Sequence, residues 1–110
     1  MKNFLHKDLA EGNWQKLSLF EQLGNIGSEV GRVLKWKNKD AKIFQNAVER
    51  ALELFDLTLE DPRWRGRLRE IARAREVFCD AILGGKLYKS SLEDLDRYFY
   101  PFAYAAGNKR

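Results

Sequence analysis

The sequence predicts an all-α protein whose single domain, residues 1–110, folds as an antiparallel four-helix bundle. Apolar residues recur at steps of three and four through four segments, and no strand-like alternation or internal repeat occurs. Short connections join the segments, which favours neighbouring helices that run in opposite directions. The chain has 110 residues, 45% of them hydrophobic and 33% charged, the composition of a globular protein with one core.

The first long helix is predicted from Ser18 to Trp36. Ser18 and Glu21 have the spacing of a capping box, in which each side chain accepts a hydrogen bond from the other residue's backbone N–H. The preceding residues 1–17 are predicted to form a lead-in arm or a short helix. This segment contains the single histidine, His6, which we interpret as a surface residue.

Glycines interrupt the apolar stripe of this first helix at Gly24, Gly27 and Gly31. Each glycine costs a helix interior about 1 kcal/mol relative to alanine. Another backbone is therefore expected to approach closely there. It belongs either to a second helix of this chain or to the same helix of a second chain, in which case the glycines form a subunit interface.

Three further helices are predicted over residues 41–59, 62–83 and 91–106. Asp61 and Pro62 suit the N-cap and first position of the third helix, and Gly84 with Gly85 suits its end. For the fourth helix, Ser90 and Glu93 have capping-box spacing. Pro101 should kink or loosen this last helix because it removes a backbone hydrogen bond, and residues 107–110 should fray.

The third segment carries the strongest functional signal, six arginines within thirteen residues that are opposed there by Glu70 alone. Arg65, Arg69 and Arg73 repeat every fourth residue and would form one ridge on a continuous helix. Clustered guanidinium groups are typical of nucleic-acid binding because they pair with phosphate oxygens. We assign the following arginines to a nucleic-acid site: Arg63, Arg65, Arg67, Arg69 and Arg73.

An acidic line on the second helix leaves an alternative open. Carboxylates there are spaced to lie on its outer face, and they could neutralise the arginines if the two helices are neighbours. The basic ridge would then be a solvated surface without a ligand. These acidic residues are Glu49, Glu53, Asp56 and Glu60.

A second basic group, Lys35, Trp36 and Lys37, interleaves an aromatic ring with cations. That combination can stack on an unpaired base while holding its phosphate, which favours RNA. Trp64 beside Arg65 repeats the pairing. The alternative is that both tryptophans cover the ends of the bundle and that the lysines are simply solvated.

The last helix is more aromatic than one buried face requires. Tyrosines left at a surface are common in protein interfaces, since the ring buries area and the hydroxyl keeps a polar partner. We therefore assign Tyr98, Tyr100 and Tyr104 to self-association or to docking on a larger protein. The alternative is an ordinary core with exposed hydroxyl tips.

Enzyme classes have little support in the sequence. No Walker-type phosphate loop, nucleophile elbow or paired metal-ligand spacing occurs, so we expect no catalytic residue, cofactor or metal. Cys79 is the only cysteine, which excludes an intramolecular disulfide. No apolar run is long enough for a membrane span, and we expect a cytoplasmic location without a membrane partner.

The run NIGSEVGR, residues 25–32, resembles the 23S rRNA intervening-sequence protein family, which includes the accessory variability determinants of diversity-generating retroelements. A lysine-rich turn, Phe44 and the ALEL run at residues 51–54 extend the resemblance over the first two long helices. It implies a four-helix bundle that assembles into a ring, commonly of five subunits. It also implies a non-enzymatic role, in contact with a reverse transcriptase and its template RNA.

We therefore predict a basic helical-bundle accessory protein that forms homo-oligomers and binds nucleic acid, with RNA preferred. The net charge of +4 agrees with an anionic partner. The competing hypothesis is a protein-interaction module that docks through its aromatic last helix and does not bind nucleic acid.

Overall fold

The structure is a computed structural model that describes residues 12–105, and within that range it is all-helical, as predicted. Four α-helices pack compactly, and a 3-10 helix leads into the first and another into the third. His6 and residues 106–110 lie outside the described range. The elements are a 3-10 helix Trp14–Lys16, α1 Leu19–Trp36, α2 Ala41–Leu59, a 3-10 helix Pro62–Arg67, α3 Leu68–Ile82 and α4 Leu92–Ala105.

The first two α-helices begin where local sequence predicts. The Ser18 hydroxyl accepts from the Glu21 backbone N–H at 3.1 Å, and the Glu21 carboxylate accepts from the Ser18 N–H at 3.0 Å. The predicted capping box is therefore confirmed. At α2 the Asp40 carboxylate accepts from two backbone N–H groups, each at 3.0 Å, and so caps the helix.

The prediction of one continuous third helix over residues 62–83 is wrong. Trp64 has non-helical dihedrals, φ −100° and ψ 21°, and the α-helix begins only at Leu68. The indole N–H of Trp64 donates to Gln22 at 2.7 Å, a tertiary bond that holds this turn away from regular α-helix. The predicted start and stop are confirmed: Asp61 caps the 3-10 helix, and Gly85 has φ 74°.

The predicted capping box of the fourth helix is displaced by one residue. Ser91, not Ser90, accepts from the Asp94 N–H at 3.1 Å, and the Asp94 carboxylate accepts from the Ser91 N–H at 3.0 Å. Lys89 has φ 58°, a left-handed turn that sets the chain direction before Ser91. Pro101 lies inside α4, and the helix continues past it to Ala105.

The hydrophobic core has an aromatic centre. The Phe55 ring of α2 lies 5.7 Å from Phe78 of α3 and 6.0 Å from Phe99 of α4, and all three side chains are fully buried. Helix α1 packs most closely on α4 and then on α2, whereas α3 contacts α4 only loosely. Trp14, 1% exposed, extends this core at the start of the described chain.

Each end of α1 lies beside a different group of basic side chains. We call the region around Asp61, Arg63 and Trp64, which contacts the start of α1, the arginine end. We call the region beyond the last residue of α1 the lysine end, and Lys37 and Lys89 line one hollow there. An 18-residue helix spans about 27 Å, so these two regions are well separated.

Candidate nucleic-acid interface

Gln22 organises a buried polar network at the arginine end. Its side chain is fully buried, and its amide nitrogen donates to the Trp14 carbonyl at 2.9 Å and to the Asp61 carboxylate at 3.1 Å. Its amide oxygen accepts from the Trp64 indole N–H at 2.7 Å. Both ends of the amide are thus used inside the protein, as a buried amide requires.

Arg63 completes this network from the surface. Its guanidinium donates to the Asp61 carboxylate at 2.7 Å and to the Leu17 carbonyl at 2.7 Å. Asp61 is 1% exposed, and the Arg63 guanidinium holds its pKa at about 2, below the ordinary value of 3.8. Arg63, predicted to contact nucleic acid, therefore has much of its donor capacity committed to Asp61.

Trp64 is similarly engaged. Its side chain is half-buried, its N–H is bonded to Gln22, and the Arg63 guanidinium lies 4.4 Å from the centre of its ring. A stacking base would have to compete with this cation. The cation over this ring is thus Arg63 and not Arg65, the residue that the sequence pattern pairs with Trp64.

The remaining arginines of the predicted site are exposed and are divided between the 3-10 helix and α3. Arg65 lies in the 3-10 helix, and Arg69 lies on α3 beyond the break; neither has an ion pair among residues 12–105. Arg67 is 3.9 Å from the Glu70 carboxylate, a long and solvent-exposed contact. The Arg73 guanidinium lies 5.1 Å from the Tyr88 ring centre. Arg65 and Arg67 thus lie in the 3-10 helix and Arg69 and Arg73 on α3, and the single ridge stays a prediction.

The acidic line of α2 does not neutralise these arginines. Asp56 pairs with Arg75 at 3.0 Å, and Arg75 is not among the residues assigned to the site. Glu53 is 7% exposed, so the prediction that it lies on the outer face is wrong. Within the described part of the chain, no α2 carboxylate lies within ion-pair distance of the assigned arginines. The charges of Arg65, Arg69 and Arg73 are therefore not neutralised by an ion pair within the described residues.

At the lysine end, unlike the arginine end, the cations have no carboxylate partner among residues 12–105. The ammonium of Lys35 lies 5.6 Å from the ring centre of half-buried Trp36. Lys37 lines a polar hollow with Lys89 and Ser90, which come from the loop before α4. Sequence reasoning missed Lys89, since only the fold brings residues 37 and 89 together. No ion pair joins another residue of the range 12–105 to the lysines of this end. These lysines are Lys35, Lys37, Lys39, Lys42, Lys86 and Lys89.

The glycine stripe of α1 lies within the chain. Gly24 and Gly27 are buried and Gly31 is half-buried. On the same side of the helix, the Phe20 ring contacts Phe102 of α4 at 5.8 Å, and α4 is the helix to which α1 packs most closely. A helix of this chain therefore accounts for the burial without a second copy.

The assigned tyrosines form an aromatic surface on α4, which we define as Tyr98, Tyr100 and Tyr104 with Phe20 of α1. These side chains are between 44% and 59% exposed. The Tyr98 hydroxyl donates to the Glu70 carboxylate at 3.2 Å, and partial burial raises its pKa. Phe99, between them in sequence, is fully buried. The surplus aromatic area predicted from sequence is thus present at the surface.

The described residues contain no helix long and apolar enough to cross a membrane. Residues 12–105 also contain no group of three or more histidine, cysteine or acidic side chains placed to hold a metal ion.

Comparison of the chain with protein-family models, with curated proteins and with solved structures gives no match. The resemblance carried by residues 25–32 therefore stays a prediction, and a function is inferred from the charges and contacts of the site residues.

Proposed function

We propose that this chain is a non-enzymatic accessory protein that self-associates and binds nucleic acid, with RNA preferred. The observation that carries the proposal is the set of exposed cations without an ion pair in the described part of the chain, above all Arg65, Arg69 and the lysine end. Arginines 65, 67, 69 and 73 are the main phosphate contacts, and Lys35, Trp36 and Lys37 assist.

Surface cations that have no ion pair within the protein bind phosphate more favourably than paired cations do. Cations paired within the protein gain little by meeting a phosphate, whereas unpaired cations release the condensed counterions of the nucleic acid. Arg63 is paired with Asp61, so we exclude it from the main contacts. The separation of the two ends favours an RNA long enough to cross the face between them.

The proposal includes one antiparallel bundle as its scaffold. It is supported by a contact between the start of α1 and the end of α4, through Phe20 and Phe102. A second contact joins the start of α1 to the segment that follows α2, through Gln22 and Asp61. The family resemblance adds a ring, commonly of five subunits, that contacts a reverse transcriptase and template RNA in the cytoplasm.

Binding to a structured RNA, titrated between low and near-physiological salt, tests the proposal. Affinity should fall steeply with salt, with a slope of about 0.7–0.9 per neutralised phosphate on logarithmic axes. The mass of the oligomer should be recorded by light scattering on the same sample. A monomer without affinity at low salt would refute both parts of the proposal.

Two variants that remove equal charge locate the binding face. R65Q/R69Q/R73Q removes three arginines of the 3-10 helix and α3, and K35Q/K37Q/K89Q removes three lysines of the lysine end. The arginine variant should weaken RNA binding more, without loss of helicity. R75Q is the single-charge control for R69Q on the same helix, since Arg75 pairs with Asp56. Equal effects of R75Q and R69Q would mean that only net charge matters.

The aromatic surface favours a second candidate function, a protein-interaction module that does not bind nucleic acid. Four aromatic side chains at least 44% exposed are a large apolar area for a small monomer. In that case Y100A/Y104A should change the light-scattering mass or abolish binding to a partner protein, with little salt dependence. The same variant should leave RNA affinity unchanged if the first proposal holds.

A further inference from the structure

An open groove of about 270 Å³ lies between α3 and α4. Ala74 and Val77 form its α3 wall, and Leu95 and Tyr98 form its α4 wall. These two helices contact each other only loosely, which leaves the groove unfilled by side chains. Ligand sites in proteins are mostly apolar clefts of about 300–1,000 Å³ with a few polar groups, and the volume of this groove lies slightly below that range.

The carboxylates beside the groove already have partners. Glu70 accepts from the Tyr98 hydroxyl at 3.2 Å and lies 3.9 Å from Arg67. Asp94 pairs with Arg97 and accepts from a backbone N–H of its capping box. Both acids line the groove, and each already has part of its negative charge compensated by an arginine of the protein.

Arg73 is different, because it lines the groove without a carboxylate within ion-pair distance among residues 12–105. Its guanidinium lies over the Tyr88 ring at 5.1 Å, so the side chain is oriented by a neutral partner and keeps its charge uncompensated. Ser90 lies on the same groove and offers a hydroxyl. The apolar groove thus carries one unneutralised positive charge and one neutral donor.

We propose that this groove binds a small free amphipathic acid, with its apolar body between Val77 and Leu95 and its carboxylate on Arg73. An anionic head is favoured because it meets the one uncompensated charge of the groove, and a guanidinium pairs well with a carboxylate. A single apolar chain of moderate length matches the volume. The site shares Arg73 with the proposed nucleic-acid surface, but its binding of a small acid is measured without RNA.

Decanoate is a suitable probe, used with the full chain by isothermal titration calorimetry below its micelle concentration. One saturable site per chain is expected, with affinity about tenfold higher than for decanol, since a charge-assisted hydrogen bond is lost with the alcohol. Decyltrimethylammonium should bind more weakly than either. Equal or tighter binding of this cation would overturn the assignment.

Two variants test the geometry. A74L fills the groove and should weaken decanoate and decanol alike, whereas R73Q should weaken decanoate about tenfold and leave decanol unchanged. R75Q, on the same helix but outside the groove, is the control and should bind both probes like the parent chain. R73Q keeps the test decisive if A74L fails to fold, since Arg73 is exposed.

A second copy of this chain is the rival occupant of the groove. If a second copy fills the groove, decanoate should not bind, and the A74L variant should have a different light-scattering mass. That result would overturn the proposal. A loss of decanoate binding in R75Q equal to that in R73Q would also overturn it, because the effect would then be one of net charge.

Discussion

The arginine end and the lysine end are both rich in cations, yet the fold uses their charges differently. At the arginine end, Arg63 is tied to buried Asp61 and to a backbone carbonyl of the lead-in segment. At the lysine end, Lys37 and Lys89 share a polar hollow and have no ion pair within the described range. A cluster of cations therefore predicts a ligand surface only where the fold supplies no carboxylate of its own.

The two tryptophans repeat this difference. The indole N–H of Trp64 is bonded to buried Gln22, and a guanidinium lies over its ring at 4.4 Å. Trp36 has a lysine ammonium 5.6 Å from its ring and lies at the end of α1. Similar sequence patterns thus produce a stabilising network at one end and a candidate binding surface at the other.

The largest expected effect comes from removing Asp61. D61A leaves the buried Gln22 amide and the exposed Arg63 guanidinium without their shared acceptor, so the free energy of unfolding should fall by about 2–3 kcal/mol, the cost of an unsatisfied buried donor together with a lost charged hydrogen bond. Urea unfolding followed by circular dichroism measures it. A loss below about 1 kcal/mol would mean that the arginine end is as loosely held as an ordinary surface.

Acid should weaken the arginine end selectively. Because the folded-state pKa of Asp61 is about 2 and its ordinary value is 3.8, its contribution is complete above pH 3.8 and is lost as the pH falls towards 2. Solvent reaches Arg63, and after that screening the contribution is about 1–2 kcal/mol. Urea unfolding at pH 6 and at pH 2.5 tests it, and D61N should lose this share of the pH dependence. An unchanged dependence in D61N would assign the effect to other acids.

Helix caps should contribute equally at the two ends. S18A removes the α1 cap near the arginine end, and D40A removes the α2 cap near the lysine end. Each should lower the free energy of unfolding by about 1 kcal/mol because one or two backbone N–H groups lose their acceptor. Thermal unfolding measures both. A much larger loss in either variant would show that the ends differ in their helix termini and not only in the buried network.

The smallest effect on stability is expected at the lysine end. K37Q/K89Q removes two cations without an ion pair in the described range, and the free energy of unfolding should change by less than about 0.5 kcal/mol. RNA affinity should still fall measurably in the same variant. A stability loss comparable to that of D61A would contradict the contrast between the two ends.

Several elements could be predicted from sequence because their causes are local. The capping box of Ser18 and Glu21 joins residues three apart, and Gly85 ends α3 where an added Cβ would lie 2.9 Å from the Ser90 carbonyl oxygen. The displaced cap of α4 shows the limit of this reasoning. Adjacent serines followed by adjacent acids offer two capping boxes, and only the chain path through Lys89 selects one.

The candidate site was less predictable. Gln22 lies on the buried stripe of α1 with Ile26, so its position signals a buried amide, but nothing local identifies its partners. The break at Trp64 depends on a bond to Gln22, 42 residues away. Arg65, Arg69 and Arg73 all follow Trp64 in the chain, so the single ridge stays a prediction.

By itself, the sequence determined the all-helical class, the starts of α1 and α2 and the presence of surplus cations and aromatic rings. These follow from periodicity and from contacts within one turn. The tertiary structure alone decided which cations are paired, because the acceptors of a charge come from distant segments, as Asp61 meets Gln22 across 39 residues. It also brought Lys89 to Lys37 and left Arg73 unpaired beside an apolar groove. Charge is a property of composition, but its availability to a ligand is a property of packing.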